Sequence, residues 1–126
     1  MTPEDLLYTR EHEWLKVEDD TATVGITDYA QDALGDIVYL DLPDVGEEVS
    51  AGDVVGEIES VKSTAELRTP VSGTITEVNR HASDAPETIN EQPYGAGWIF
   101  KITLSDRSEL SSLMDSAAYE EYIKEL

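Results

Sequence analysis

Gly56-Glu-Ile-Glu-Ser-Val-Lys-Ser-Thr-Ala-Glu-Leu67 decides the reading of this chain. An alternating run, Val54-Val-Gly-Glu-Ile-Glu59, enters it, and a second, Thr64-Ala-Glu-Leu67, leaves it. The spacing predicts a β-hairpin with Val61 and Lys62 at its tip. Lys62 is one of only four lysines, with Lys16, Lys101 and Lys124. A stiff tip confines motion to whatever is attached to it. A lysine suits such attachment, because its ammonium ends a four-carbon stem and can become an amide. An ordinary solvated turn lysine is the plainer alternative, and the hairpin context alone does not choose between them.

Working outward, residues 6–9, 13–17 and 21–26 read as strands, the second and third joined by the acidic turn Glu18-Asp-Asp20. Thr27 has the character of a helix N-cap for residues 28–34, with Asp28 in the first turn and Gly35 as the stop. Residues 36–41, 74–78 and 98–104 read as further strands. Residues 81–97 read as a loop with one helical turn near 86–90. Ser105 is placed to cap a short helix, and residues 116–126 form a terminal one. In that last helix Ala118, Tyr122 and Leu126, with Tyr119 and Ile123 beside them, make an apolar face suited to packing on the body. Val45-Gly46, Ala51-Gly52 and Val71-Ser-Gly73 form a faint echo around the hairpin, too degenerate to define a repeat. Short strands with regular Gly and Pro punctuation point to a small barrel or sandwich.

Composition narrows the function. A chain of 126 residues suits one domain. It has no cysteine, hence no disulfide, thiolate metal site or thiol nucleophile. The start lacks a basic and apolar leader, and no apolar run approaches a membrane span, so a soluble cytoplasmic protein without membrane contact is expected. The net charge is −20, from 8 basic and 28 acidic residues. That field repels phosphate backbones and argues against nucleic acid as a partner. The apolar content is 40%, and its strand periodicity argues against disorder. Acids spread along the whole chain fit a protein solvated for high salt, where screening relieves self-repulsion. His12 and His81 show no ligand spacing, and Glu47-Glu48 and Glu120-Glu121 lack a calcium-loop context, so no metal is expected. No phosphate loop or nucleophile elbow appears. Trp14 and Trp98 read as core or cleft-wall residues.

Glu59-Ser-Val-Lys-Ser-Thr-Ala-Glu-Leu67, followed by Pro70-Val-Ser-Gly73, closely resembles the lipoyl-attachment segment of the glycine cleavage H-protein family. The family's other motifs follow in order: His12-Glu-Trp14, Gly25-Ile-Thr-Asp-Tyr-Ala-Gln31, Leu34-Gly-Asp-Ile-Val38, Leu42-Pro43, Glu77-Val-Asn79, Ile89-Asn90, Pro93-Tyr-Gly95 and Gly97-Trp98. The resemblance implies a mostly β fold, a flattened barrel-sandwich hybrid with short N-terminal elements and a C-terminal helix, as one lipoyl-carrier domain over residues 1–126. It implies lipoic acid in amide linkage on Lys62, set there by a lipoate-attachment enzyme. It implies a carrier without catalysis of its own, and a monomer. The carrier would take an aminomethyl group from the P protein (glycine decarboxylase) to the T protein (aminomethyltransferase) and be reoxidised by the L protein (dihydrolipoyl dehydrogenase). Family analogy also puts Glu13 and Glu66 in a cleft that shelters the loaded arm, where an acid would meet the arm's ammonium.

Two departures stand out. Some family members carry a histidine before the Leu-Gly that ends the early helix, where this chain has Ala33; and Arg80-His81 follows Glu77-Val-Asn79 in place of small or apolar residues. The competing readings are a lipoyl carrier or relay for another complex, such as a 2-oxoacid dehydrogenase, and an unmodified acidic interaction module. A biotin carrier fits less well, since Val61 and Ser63 flank the lysine instead of methionines.

Overall fold

The structure is a computed structural model and describes residues 2–126. Among the described residues, nine strands form two antiparallel sheets. The larger contains β1 (Leu7–Tyr8), β2 (Glu13–Glu18), β3 (Thr21–Ile26), β5 (Glu48–Val49), β8 (Gly73–Val78) and β9 (Phe100–Leu104), in the order β1-β2-β3-β9-β8-β5. The smaller contains β4 (Ile37–Asp41), β6 (Val54–Ser60) and β7 (Thr64–Arg68), in the order β4-β6-β7. The described residues also form four α-helices: α1 (Asp28–Leu34), α2 (Arg80–Asp84), α3 (Glu87–Glu91) and α4 (Ser116–Lys124). The result is the mostly β sandwich-like hybrid the sequence implied, open at its edges and not a closed barrel.

The two sheets face each other across one apolar layer. Leu15, Val24, Phe100, Ile102 and Ile75 come from the larger sheet, and Leu40, Ile58 and Leu67 from the smaller. Strand alternation puts these residues inward and charge outward. On β6 and β7 the pairs are Ile58 with Ala65 and Glu57 with Glu66, so Ala65 and Leu67 face the core while Glu66 faces out. A second apolar cluster lies on the other face of β1 and β2. There Tyr8, Trp14 and Tyr119 pack, and α4 covers them. Trp14 lies flat over Gly25, where an added Cβ would come within 2.6 Å of the ring.

Several local expectations hold. Thr27 caps α1, its Oγ1 accepting from the Ala30 amide at 3.2 Å. Gly35 ends the helix with φ +84°. Others need correction. The helical turn expected near 86–90 is α3, but α2 precedes it where only loop was expected, because the Asn79 side chain caps α2 while its side-chain amide donates to the Ala96 and Trp98 carbonyls. The short helix near 107 is a 3-10 turn, Arg107–Ser112, capped by Asp106 and not by Ser105. The strand β5 has only two residues and carried no alternation to reveal it. On α4 the covered residues are Tyr119, with Tyr122 and Ile123 packed beside it; Ala118 and Leu126 are exposed. The helix is set by Tyr119, whose ring stacks on Tyr8 at 4.8 Å. No helix among the described residues is long and apolar enough to cross a membrane.

Candidate functional site

Ser60 and Ser63 close the β6–β7 turn, with the Ser60 amide donating to the Ser63 carbonyl at 2.8 Å. Val61 and Lys62 are the two residues between them, both exposed. Two contacts stiffen the turn. The Ser60 hydroxyl accepts from the amides of Lys62 and Ser63. The Val61 amide donates to the Asp36 carbonyl at 3.0 Å, which ties the tip to the corner between α1 and β4. Asn90 on α3 fixes that corner from beneath. Its side chain donates to Gly35 O and accepts from the Ile37 amide, both at 2.9 Å. The stem of Lys62 lies over Gly35, where a Cβ would sit 3.3 Å from the lysine Cε. A side chain at that corner would crowd the stem, and the positive φ favours glycine there too.

A cleft of ≈ 200 Å³ opens between α1, the start of β2 and the inner edge of β7. Ala30, Ala33, Leu34, Ile58, Ala65 and Leu67 give it an apolar wall, and Glu11, His12, Glu13, Tyr29 and Glu66 a polar end and rim. Glu13 and Glu66 therefore line one cavity, in unlike settings. Glu13 is 4% exposed, and its Oε1 accepts from the Thr9 hydroxyl at 2.9 Å. Burial pushes its carboxyl up to about 7, with the Glu11 charge adding to the rise and the Thr9 and Arg68 contacts opposing it. Glu66 is exposed and bonded to Arg68 at 2.8 Å, while Arg68 also donates to the Gly52 carbonyl. Ala33 stands on the cleft wall and keeps it open where a larger side chain would fill it.

A family model described as glycine cleavage H-protein matches residues 6–126. The chain belongs to the glycine cleavage H-protein family. It is 54% identical over 123 residues to the glycine cleavage system H protein of Anaeromyxobacter sp. (strain K), covering 98% of this chain and 96% of that one. It is 55% identical over 124 residues to the protein of the same name from Escherichia coli O7:K1 (strain IAI39 / ExPEC), with 98% and 96% covered. The crystal structure of a glycine cleavage system H protein from Mycobacterium marinum superposes with a TM-score of 0.91 at 41% identity, covering 98% of this chain and 99% of that one. Members of this family are carriers of lipoate, not catalysts.

The residues present fit such a group. An aliphatic arm on Lys62 would start over Gly35, whose neighbour Leu34 lines the apolar cleft that holds the buried acid Glu13. Reading the sequence singled out Lys62, Glu13 and Glu66. It missed Arg68, Asn90 and Tyr119, whose bonds to Gly52, Gly35 and His12 span 16, 55 and 107 residues of chain. The Ile89-Asn90 motif was the one available signal for Asn90. His12 stood in the sequence as part of the His12-Glu-Trp14 motif and as a residue without metal-ligand spacing, with no contact assigned to it. Its Nδ1 lies 2.8 Å from the Tyr119 hydroxyl, its ring lies tilted against Tyr29 with centroids 4.6 Å apart, and its backbone holds φ +69°. No cluster able to hold a metal occurs among the described residues. Arg80 and His81 lie exposed on α2, and nothing in the structure explains them.

Proposed function

We propose that residues 1–126 form one carrier domain of the glycine cleavage system, with lipoate attached to Lys62 and its cargo sheltered at Glu13. The carrier takes the aminomethyl group from the P protein to the T protein and is reoxidised by the L protein. When bound, lipoate supplies the disulfide and dithiol chemistry that accepts and gives up the aminomethyl group. The chain's own residues do the rest. Ser60, Ser63 and the Asp36 carbonyl hold Lys62 at a fixed point, so the search volume belongs to the arm alone. Ile58, Ala65 and Leu67 give the cleft an apolar wall for the arm's methylenes, which would exclude water once the arm lies on it. Glu13 offers a carboxylate in the cleft, and a charge-assisted bond to an ammonium is among the stronger hydrogen bonds available. An ammonium there draws the Glu13 proton off, since an adjacent positive charge favours the ionised acid. Glu66 on the rim stays paired with Arg68, which offsets its charge.

The observation that carries this reading is the exposed Lys62, its stem over Gly35 at the end of α1, which with β7 lines an apolar cleft holding one buried acid, Glu13. Peptide mass spectrometry on protein from its native host tests it. A lipoyl adduct on Lys62 supports the reading; an unmodified Lys62 in cells cleaving glycine overturns it.

The same proposal extends to the setting. The chain works as a soluble cytoplasmic monomer that shows its tip to three enzymes and to the enzyme that attaches lipoate. Its net charge of −20 suits a saline cytoplasm, where screening relieves self-repulsion. Stability rising with KCl supports that setting, and equal stability in dilute buffer argues against it.

A further inference from the structure

Three elements meet at one hydroxyl. Tyr119, fully buried on α4, places its oxygen 2.8 Å from His12 Nδ1 and 2.7 Å from Thr27 Oγ1. Thr27 is also fully buried, and its Oγ1 already accepts from the Ala30 amide as the cap of α1. Counting protons decides the direction of this chain. A threonine hydroxyl and a tyrosine hydroxyl carry one proton each, and a neutral imidazole one. If Thr27 donates to Tyr119, and Tyr119 donates to Nδ1, every buried proton has an acceptor. If Nδ1 is protonated and donates to Tyr119, then Tyr119 must donate to Thr27. The Thr27 proton is then stranded in the interior with no partner, at the cost of an unmade buried bond. The first arrangement wins, and it leaves Nδ1 as an acceptor with the ring proton on Nε2.

The surroundings agree. Burial pushes the Tyr119 phenol up to about 12, so it keeps its proton. Burial also pushes the His12 imidazole below its ordinary value, against the pull of Glu11. The groups around His12 are Glu11 and Glu13 beside it in the chain, Tyr29 from α1, Tyr119 and Tyr122 from α4, and Glu66 from the rim on β7.

We propose that Tyr119 is a positioning residue for the cargo cleft: its hydroxyl relay from Thr27 holds His12 in the Nε2–H tautomer beside Glu13. The inference rests on the carrier reading for its purpose but not for its geometry. His12 and Glu13 line the same cleft, and an imidazolium there would repel an incoming ammonium. A neutral ring leaves the seat to the cargo. The relay also ties α1 at its N-terminus, and the other end of α1 supplies Ala33 and Leu34 to the cleft wall and Gly35 under the lysine stem. C-terminal helix, cleft wall and lysine tip are thus joined through one phenol.

Ring nitrogen NMR on the unloaded full chain at pH 7 reads the tautomer directly. The expected wild-type result is a neutral His12 with the proton on Nε2 alone. Tyr119→Phe is expected to give mixed tautomers and, in loaded protein, release of the aminomethyl cargo about fivefold faster, the scale of one lost hydrogen bond. Thr27→Ser, which keeps hydroxyl and cap, is expected to match the wild type in both. A wild-type His12 protonated on Nδ1, or charged, overturns the relay. So does Tyr119→Phe with tautomer and release unchanged, whatever its effect on melting. Failure of either protein to take lipoate at Lys62 counts against the carrier reading instead, while the tautomer measurement still decides the relay.

Discussion

At the Lys62 turn nearly all the structural information is local. Ser60 through Ser63 make the bonds that shape it, and one long-range bond, to Asp36, fixes its direction. The cleft beside it is the opposite case. Residues from 11 to 67 line it, and its geometry depends on Asn90 and Tyr119 far along the chain. The turn is exposed and costs little to alter, while the cleft is continuous with the core. A carrier needs both: a tip that enzymes can reach and a recess that they cannot flood. The difference predicts that changes at the tip remove function without touching stability, and that changes in the cleft couple the two.

The largest expected effect is Lys62→Arg. It keeps the charge and removes the amine that can be acylated. Intact mass should show complete loss of the lipoyl adduct, with thermal unfolding unchanged within error because the side chain is exposed. Unfolding at a clearly lower temperature would show that the tip is not independent of the body. Ile58→Ala comes next, from the other side of the comparison. Ile58 is 2% exposed and lies in both core and cleft wall. Its truncation should cost about 2–5 kcal/mol in urea unfolding and leave attachment at Lys62 intact.

Glu13→Gln sharpens the coupling through pH. The Glu13 carboxyl moves from its ordinary 4.5 to about 7 on folding, chiefly through burial. Between these values the folded protein holds a proton that the unfolded chain has released, so stability falls as pH rises through this window. Above pH 7 the full cost is present, about 3 kcal/mol on the linkage scale. Glutamine keeps the Thr9 bond without the charge. The variant should be the more stable protein at pH 8, equal to wild type near pH 4, and flatter between. A wild type whose stability does not fall over this range would break the assignment. The unloaded carrier thus gives up stability to keep an acid ready for a cation.

How far the sequence reveals this follows from the same contrast. The hairpin was legible because its two alternating runs and Ser-Val-Lys-Ser turn lie within one short window. The α1 helix was legible because Thr27, Asp28 and Gly35 mark its ends locally. Helix α2 was not, since its cap, Asn79, is stabilised by the Ala96 and Trp98 carbonyls from a distant loop. The buried face of α4 was misjudged for a similar reason. Period alone favours Ala118 and Leu126 as well as Tyr119, and only the Tyr8 ring and the Thr27–His12 pair, more than ninety residues away, select Tyr119. Glu13 and Glu66 entered as equals, because residue type and motif position carry no measure of burial.

Glu66→Gln gives the smallest effect and tests that inequality. Glu66 lies directly opposite Glu57 on β6, and like charges facing across a ladder repel. Its bond to Arg68 offsets the repulsion, but both partners are solvated, with side chains 42% and 59% exposed. An exposed pair of this kind contributes at most about 1 kcal/mol. Removing the charge loses the Arg68 pair and relieves Glu57, so the two terms nearly cancel. Unfolding should shift by less than about 1 kcal/mol. The release of cargo from loaded protein should also change less than in Glu13→Gln, because Arg68 already holds Glu66 on the outer face. Equal acceleration in the two variants would mean that Glu66 leaves Arg68 and turns into the cleft when cargo arrives, and the contrast between buried acid and rim acid would then belong only to the unloaded carrier.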